Sequence, residues 1–198
     1  MPSVRPGLFA PREGTAAARP GSGQETPFVG PRFWIAAIVL AGALFFQLSF
    51  AHFFAFRTAV PSAVLVAVVW YSIRVDARRA AIFGLVAGLC EDIFAMGTGG
   101  AWTVSTTIVA VLAGALSRDF FADSLPIAAV LAVIATLVRN TIFWGVMSFE
   151  GFPAGLGTVH VHQTLWQAAL NAILITVAML IARRWEVHPS ERIRDDLR

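Results

Sequence analysis

Six apolar stretches organise this chain: residues 33–56, 59–73, 80–96, 101–116, 125–149 and 164–182, separated by short polar or glycine-rich breaks. Each reads as a membrane-crossing helix, although several are shorter than the ~20 residues that a straight spanning helix needs. The second stretch, held between Arg57 and Arg74, is the weakest. Arg57 can snorkel towards the headgroups, which lengthens the usable span. The pattern alone does not fix where the first stretch ends and the second begins. Ahead of them, residues 1–32 are rich in Pro, Gly, Ala and Arg with almost nothing large and apolar to bury, and predict a disordered basic tail. The first apolar run outlasts a signal-peptide core and reaches Ala51-His52-Phe53-Phe54 without a small-residue cleavage site, so it predicts a retained helix. The expected organisation is an all-α integral membrane domain over 33–184, a bundle of six transmembrane helices. It is flanked by the tail at 1–32 and a second one at 185–198.

Composition excludes a water-soluble globule. The chain is 57% hydrophobic and only 14% charged, with a mean hydropathy of +0.71; a soluble domain carries about a quarter charged residues. All fifteen basic residues are Arg, and their positions set a direction. With six crossings, Arg5, Arg12, Arg19, Arg32, Arg74, Arg78, Arg79, Arg118, Arg183, Arg184, Arg192, Arg194 and Arg198 fall on one side. The other side holds only Arg57, and Arg139 lies within a span. Positive charge is retained in the cytoplasm, so both termini are expected there; five or seven crossings would put one tail on the wrong side. Most of the Trp residues fall near predicted span ends, where indole suits the interface. The net charge of +3 sits at helix ends rather than in a patch, which argues against a nucleic-acid partner. Cys90 is the single cysteine and has no intramolecular disulfide partner.

The polar residues inside the spans carry the chemistry. In the third span Ala80, Gly84, Gly88 and Asp92 recur every four residues, giving a small-residue face that another helix can approach closely. That face packs within the subunit or against a partner. Glu91 and Asp92 flank it, and a break at Gly97, Gly99 and Gly100 follows. At ~1.5 Å per residue, Asp92 lies about 18 Å from the cytoplasmic end of its span, and Arg139 and Gln47 about 21 Å from theirs. Asn171, on a span running the other way, is about 11 Å from its outer end and so at a similar depth. Gln163, Gln167 and Asn171 form a further i, i+4 stripe, and Ser105, Thr106 and Thr107 lie in the outer half of span four. Gln47, Glu91, Asp92, Arg139 and Asn171 thus form one polar layer. It is either a hydrogen-bond network that fixes the bundle or the lining of an outward-facing cavity. An unpaired ion at that depth costs at least ~2.5 kcal/mol. Arg139 is therefore expected to pair with Asp92 or Glu91, with Asn171 and Gln47 meeting the remaining donors. The alternative is that Arg139 reaches the outer headgroups, ~10 Å away.

His160 and His162, with Glu150, sit in the predicted last outer loop, and two His at i, i+2 are a weak metal signal. No nucleophile accompanies the carboxylates, and no H-E-x-x-H, G-x-S-x-G, P-loop or dinucleotide-binding pattern occurs in the required context. Neither an enzyme nor a cofactor or metal is indicated.

The stretch from Arg57 through Gly114 resembles the bacterial rod shape-determining protein family MreD. The resemblance lies in Pro61 opening an apolar run that ends in Trp70-Tyr71, the turn from Arg74 to Arg79, and Gly84-x-x-x-Gly88-Leu89-x-x-Asp92. The glycine break and a span ending in Ala113-Gly114 follow, and Leu170-Asn171-Ala172 is similar to part of the family's final helix. Ser62 stands where the family usually has an acid, and the N-terminal tail is unusually long. The resemblance implies a non-enzymatic inner-membrane component of the cell-wall elongation complex. Such a protein binds the single-span scaffold MreC and works alongside MreB, a SEDS glycosyltransferase and a class B penicillin-binding protein. It also implies a fold similar to the substrate-binding subunits of energy-coupling-factor vitamin transporters, which supplies the rival reading of a transport subunit.

Overall fold

The computed structural model describes residues 33–116, 124–151 and 154–195. The tail at 1–32 and the segment holding Arg118 lie outside the described residues. The described chain is all-helical: α1 (Phe33–Ser49), α2 (Ala63–Ser72), α3 (Ala77–Ala95), α4 (Ala101–Leu116), α5 (Leu125–Phe149) and α6 (Gly157–Asp195). Short 3-10 turns occupy Ala51–Phe54 and Ala154–Leu156.

α2 organises the bundle. It is apolar all round, and nine of its ten residues are buried, the signature of a helix enclosed on every side. α1, α3, α4, α5 and α6 all pack against it. Leu65, Val66, Val69 and Ile73 meet Ala128, Ala132 and Ala135 of α5 and Ile175 and Met179 of α6. On the other side Val64, Val68 and Tyr71 meet Ala36 and Leu40 of α1 and Ala80, Phe83 and Ala87 of α3. Small residues on the surrounding helices and β-branched ones on α2 let the axes approach closely. The α3–α4 pair has the most extensive contact of all.

The helices differ from the apolar runs where the chain turns. The first run was expected to continue to 56, but α1 stops at Ser49 and the chain turns back through the Ala51–Phe54 segment. The second run was expected to be helical over 59–73. Only Ala63–Ser72 is, because Val60 precedes a proline and is biased to extended backbone. Ser62 then caps the helix by accepting from the Leu65 N–H at 3.2 Å. The last helix begins at Gly157 rather than 164, so His160 and His162 lie on its first turns and not in a loop. At the other end it continues through Asp195, so the segment predicted as a tail is largely helical. α3 and α4 are joined by Met96, Gly97, Gly99 and Gly100 at positive φ (42°, 95°, 53° and 89°). Glycine is needed at three of these because a side chain there would be strained.

Candidate functional site

The site begins as a backbone problem. Ten helical residues rise only ~15 Å, so the first turn of α2 lies inside the bundle, where its free N–H groups have no water to meet. Side chains from two other helices, α1 and α6, meet them. The Ser62 N–H donates to Asn171 Oδ1 at 2.7 Å and the Val64 N–H to Gln47 Oε1 at 3.2 Å. Just ahead, Gln167 Nε2 donates to the Val60 carbonyl at 2.8 Å, and Gln163 Nε2 to Thr58 Oγ1 at 3.4 Å. The i, i+4 stripe of α6 therefore runs along the segment 58–62 and bonds to every second residue of it. Asn171 also donates to Thr136 Oγ1 at 3.0 Å, and Asn140 of α5 donates to Gln167 and Thr164.

Arg139, 2% exposed, closes the layer from α5. Its Nη2 donates to Glu91 Oε2 at 2.6 Å and its Nη1 to Ser62 Oγ at 2.9 Å. The guanidinium carbon lies 4.3 Å from the centre of the Trp102 ring, where the ring's quadrupole favours a cation. Thr106 Oγ1 donates to the same Glu91 oxygen at 3.4 Å.

Asp92 does not share this ion pair. Its Oδ1 accepts from Thr98 Oγ1 at 2.6 Å and the Trp102 N–H at 3.2 Å. Its Oδ2 accepts from the Thr103 N–H at 2.8 Å and from Thr103 Oγ1. The residue before α4 is Gly100, which has no side chain to cap with, so α3 supplies the carboxylate that caps α4. The negative charge also suits the positive end of the α4 dipole. The expectation that Gln47 and Asn171 would serve Arg139 is likewise corrected: both carbonyl oxygens are committed to backbone N–H groups of the α2 start, and Ser62 takes the second guanidinium nitrogen instead. Ser62, Trp102, Thr136 and Asn140 were missed as members of the layer. The Pro61-Ser62 pair ahead of an apolar run is a helix-start signal that could have pointed to the first.

The small-residue face of α3 is turned to α4 of the same chain. A Cβ at Gly88 would stand 2.6 Å from Thr103 Cα and 2.7 Å from the Trp102 carbonyl oxygen. One at Gly84 would overlap Ala110 Cβ, and Gly114 of α4 admits Ala80 in the same way. His160 and His162 part company: His160 Nε2 lies 3.1 Å from the Asn140 carbonyl oxygen, whereas His162 Nε2 accepts from Trp166 Nε1 at 3.2 Å. Among the described residues no three His, Cys, Asp or Glu side chains gather to hold a metal.

Beside the layer lies a cavity of about 260 Å³. Gln47, Ser62, Glu91, Arg139, Gln167 and Trp102 line it together with Leu44, Leu48, Val60, Phe94 and Ala95.

The family model for the rod shape-determining protein MreD matches residues 29–184, most of the chain and every helix described above up to the end of the α6 apolar segment. The chain belongs to the MreD family. No curated protein and no solved structure matches it. MreD proteins determine rod shape without being enzymes, and they are multi-pass membrane proteins. Membership of the MreD family accounts for the large apolar side chains left on the outside of the bundle, such as Ile38, Phe45, Ile93, Val130 and Ile173, which face lipid. α5 and the Gly157–Arg184 part of α6 are each long and apolar enough to cross a bilayer unaided. α2 is not, and the polar layer described above is what lets an MreD chain hold so short a helix inside the bundle.

Proposed function

We propose that this protein is a non-enzymatic inner-membrane subunit of the bacterial cell-wall elongation complex. In this reading it binds MreC and acts in the same assembly as MreB, a SEDS glycosyltransferase and a class B penicillin-binding protein. The family match over 29–184 carries the reading. The geometry supports it because the polar layer is occupied with holding the fold. Gln47 and Asn171 cap α2, Asp92 caps α4, Glu91 neutralises Arg139, and Ala80, Gly84 and Gly88 seat α3 on α4. None of these side chains is left poised for a reaction. The Arg distribution favours residues 33–184 as the membrane domain, with the segments 1–32 and 185–198 both in the cytoplasm. A vitamin-binding transport subunit is the weaker reading, since the residues that would line its outward cavity are mostly engaged with one another. Depleting the chain in its host tests the proposal: rods should widen and round up. Unchanged rod shape after full depletion would refute it.

A further inference from the structure

The cavity beside the ion pair has two unused bonding atoms among its polar lining residues. Glu91 Oε2 takes both Arg139 and Thr106, and no hydrogen bond among the described residues reaches Oε1. Nor is Oε1 among the sealed, unpartnered side-chain atoms, which are Ser72 Oγ and Arg139 Nε. It is therefore accessible, and the space that Glu91 borders is the cavity. The same reasoning applies to Gln47: Oε1 accepts from the Val64 N–H, while Nε2 is neither bonded nor sealed. The cavity thus offers a carboxylate oxygen that wants a donor and, from the same lining, an amide that wants an acceptor.

Apolar side chains from the ends of the same two helices complete the lining. Leu44 and Leu48 lie at the end of α1, and Phe94 and Ala95 at the end of α3. α1 and α3 share a packed cluster with α2 through Ala36, Leu40, Ala80, Phe83 and Ala87, nearer their Arg-rich ends. Towards the far ends the cavity is lined by Leu44, Gln47 and Leu48 of α1 and by Glu91, Phe94 and Ala95 of α3. Leu48 and Phe94 are also exposed, as suits a surface against acyl chains. At about 260 Å³ the space is smaller than the ~300–1,000 Å³ clefts that enclose drug-sized ligands. It suits a headgroup whose tails remain in the bilayer.

We propose that this cavity binds an amine-bearing phospholipid of the adjacent leaflet. The ammonium donates to Glu91 Oε1, the phosphodiester accepts from Gln47 Nε2, and the acyl chains lie against the far ends of α1 and α3. Arg139 already balances the single charge on Glu91, and the lipid's own phosphate balances its ammonium, so the filled site carries no excess charge. This goes beyond the rod-shape role and does not depend on it.

The test uses the full chain in detergent, titrated with dioleoyl phosphatidylethanolamine or dioleoyl phosphatidylcholine and read by native mass spectrometry and thermal melting. The two lipids share acyl chains, phosphate and net charge; the three N–H donors of the first are replaced by three bulkier methyl groups in the second. Phosphatidylethanolamine should bind saturably and raise the melting temperature. Phosphatidylcholine should bind on the order of tenfold or more weakly, the effect of losing a hydrogen bond to a charged group. Soluble phosphoethanolamine should displace the first lipid, which identifies the headgroup as the part recognised. Ala95→Phe, which removes no polar contact and fills the cavity, should abolish the preference while leaving the helical circular dichroism unchanged. Leu48→Trp does the same from the α1 side if the first variant does not fold. Equal binding of the two lipids by the unaltered chain would overturn the proposal. So would a preference that survives the filled cavity, or a cavity occupied by a segment of a co-purified protein in place of lipid.

Discussion

Replacing Arg139 by Met should be among the most damaging single changes in the membrane domain, and the damage should be relieved by a second mutation. The guanidinium is 2% exposed and sits 2.6 Å from a carboxylate that is itself only 9% exposed. Removing the cation leaves Glu91 charged, enclosed and held only by Thr106. Breaking a buried pair from one side costs ~3–5 kcal/mol, whereas replacing both partners by apolar groups of similar volume is often neutral or better. The Trp102 contact contributes a further ~0.5–2 kcal/mol, lost in the single and double variants alike. The Ser62 hydroxyl keeps its bond from the Leu65 N–H in either case. The Arg139→Met/Glu91→Leu double variant should therefore be more stable than Arg139→Met alone, with a coupling energy near the upper end of the ~0.5–3 kcal/mol range for contacting residues. Reversible unfolding in mixed micelles, followed by far-ultraviolet circular dichroism, measures all four corners of the cycle. Additive losses, to within ~0.5 kcal/mol, would refute the idea that the two charges exist to neutralise each other.

The remaining predictions bear on packing, capping and direction. Gly88→Ala should destabilise by ~1–3 kcal/mol, despite alanine's better helix propensity, because its Cβ would meet the α4 backbone at 2.6–2.7 Å; wild-type stability in the same unfolding assay would show that α3 and α4 can separate freely. Asn171→Leu should cost ~1–3 kcal/mol for the Ser62 N–H left unpaired, while the Thr136 hydroxyl keeps its bond to the Ala132 carbonyl, and should speed hydrogen exchange at Ser62; unaltered exchange there would show that α2 does not need this cap. Reporter fusions after Arg198 and within the Arg74–Arg79 turn should behave as cytoplasmic and a fusion at Gly151 as periplasmic; a periplasmic C-terminus would contradict the six-crossing arrangement.

Sequence reasoning located the helices well where the apolar runs ended on polar or glycine breaks. The runs at 101–116 and 125–149 coincide with α4 and α5. It did less well over 50–62, because the extended segment there is as apolar as a helix. What distinguishes that segment is the hydrogen bonds it receives from α6, which leave no mark in hydropathy. The Gln163, Gln167 and Asn171 stripe was visible in the sequence, but two of its bonds go to the Val60 carbonyl and the Ser62 N–H, and backbone carries no residue identity. The physical cost of Arg139 pointed to one of two adjacent acids without saying which. Glu91 and Asp92 differ by only ~100° around α3, and the choice rests on which of them continues the Gly84 and Gly88 face that meets α4, which is Asp92. Gly100, a residue unable to cap the helix that follows it, was the available hint that Asp92 would be claimed elsewhere.

The rod-shape role is tested most directly by purifying the tagged, full-length chain from native membranes of its host under mild detergent and identifying what comes with it. The account predicts MreC as a co-purifying partner present in amounts comparable to the chain itself. Recovery without MreC, and with an ATPase module and a tightly held small molecule in its place, would contradict it.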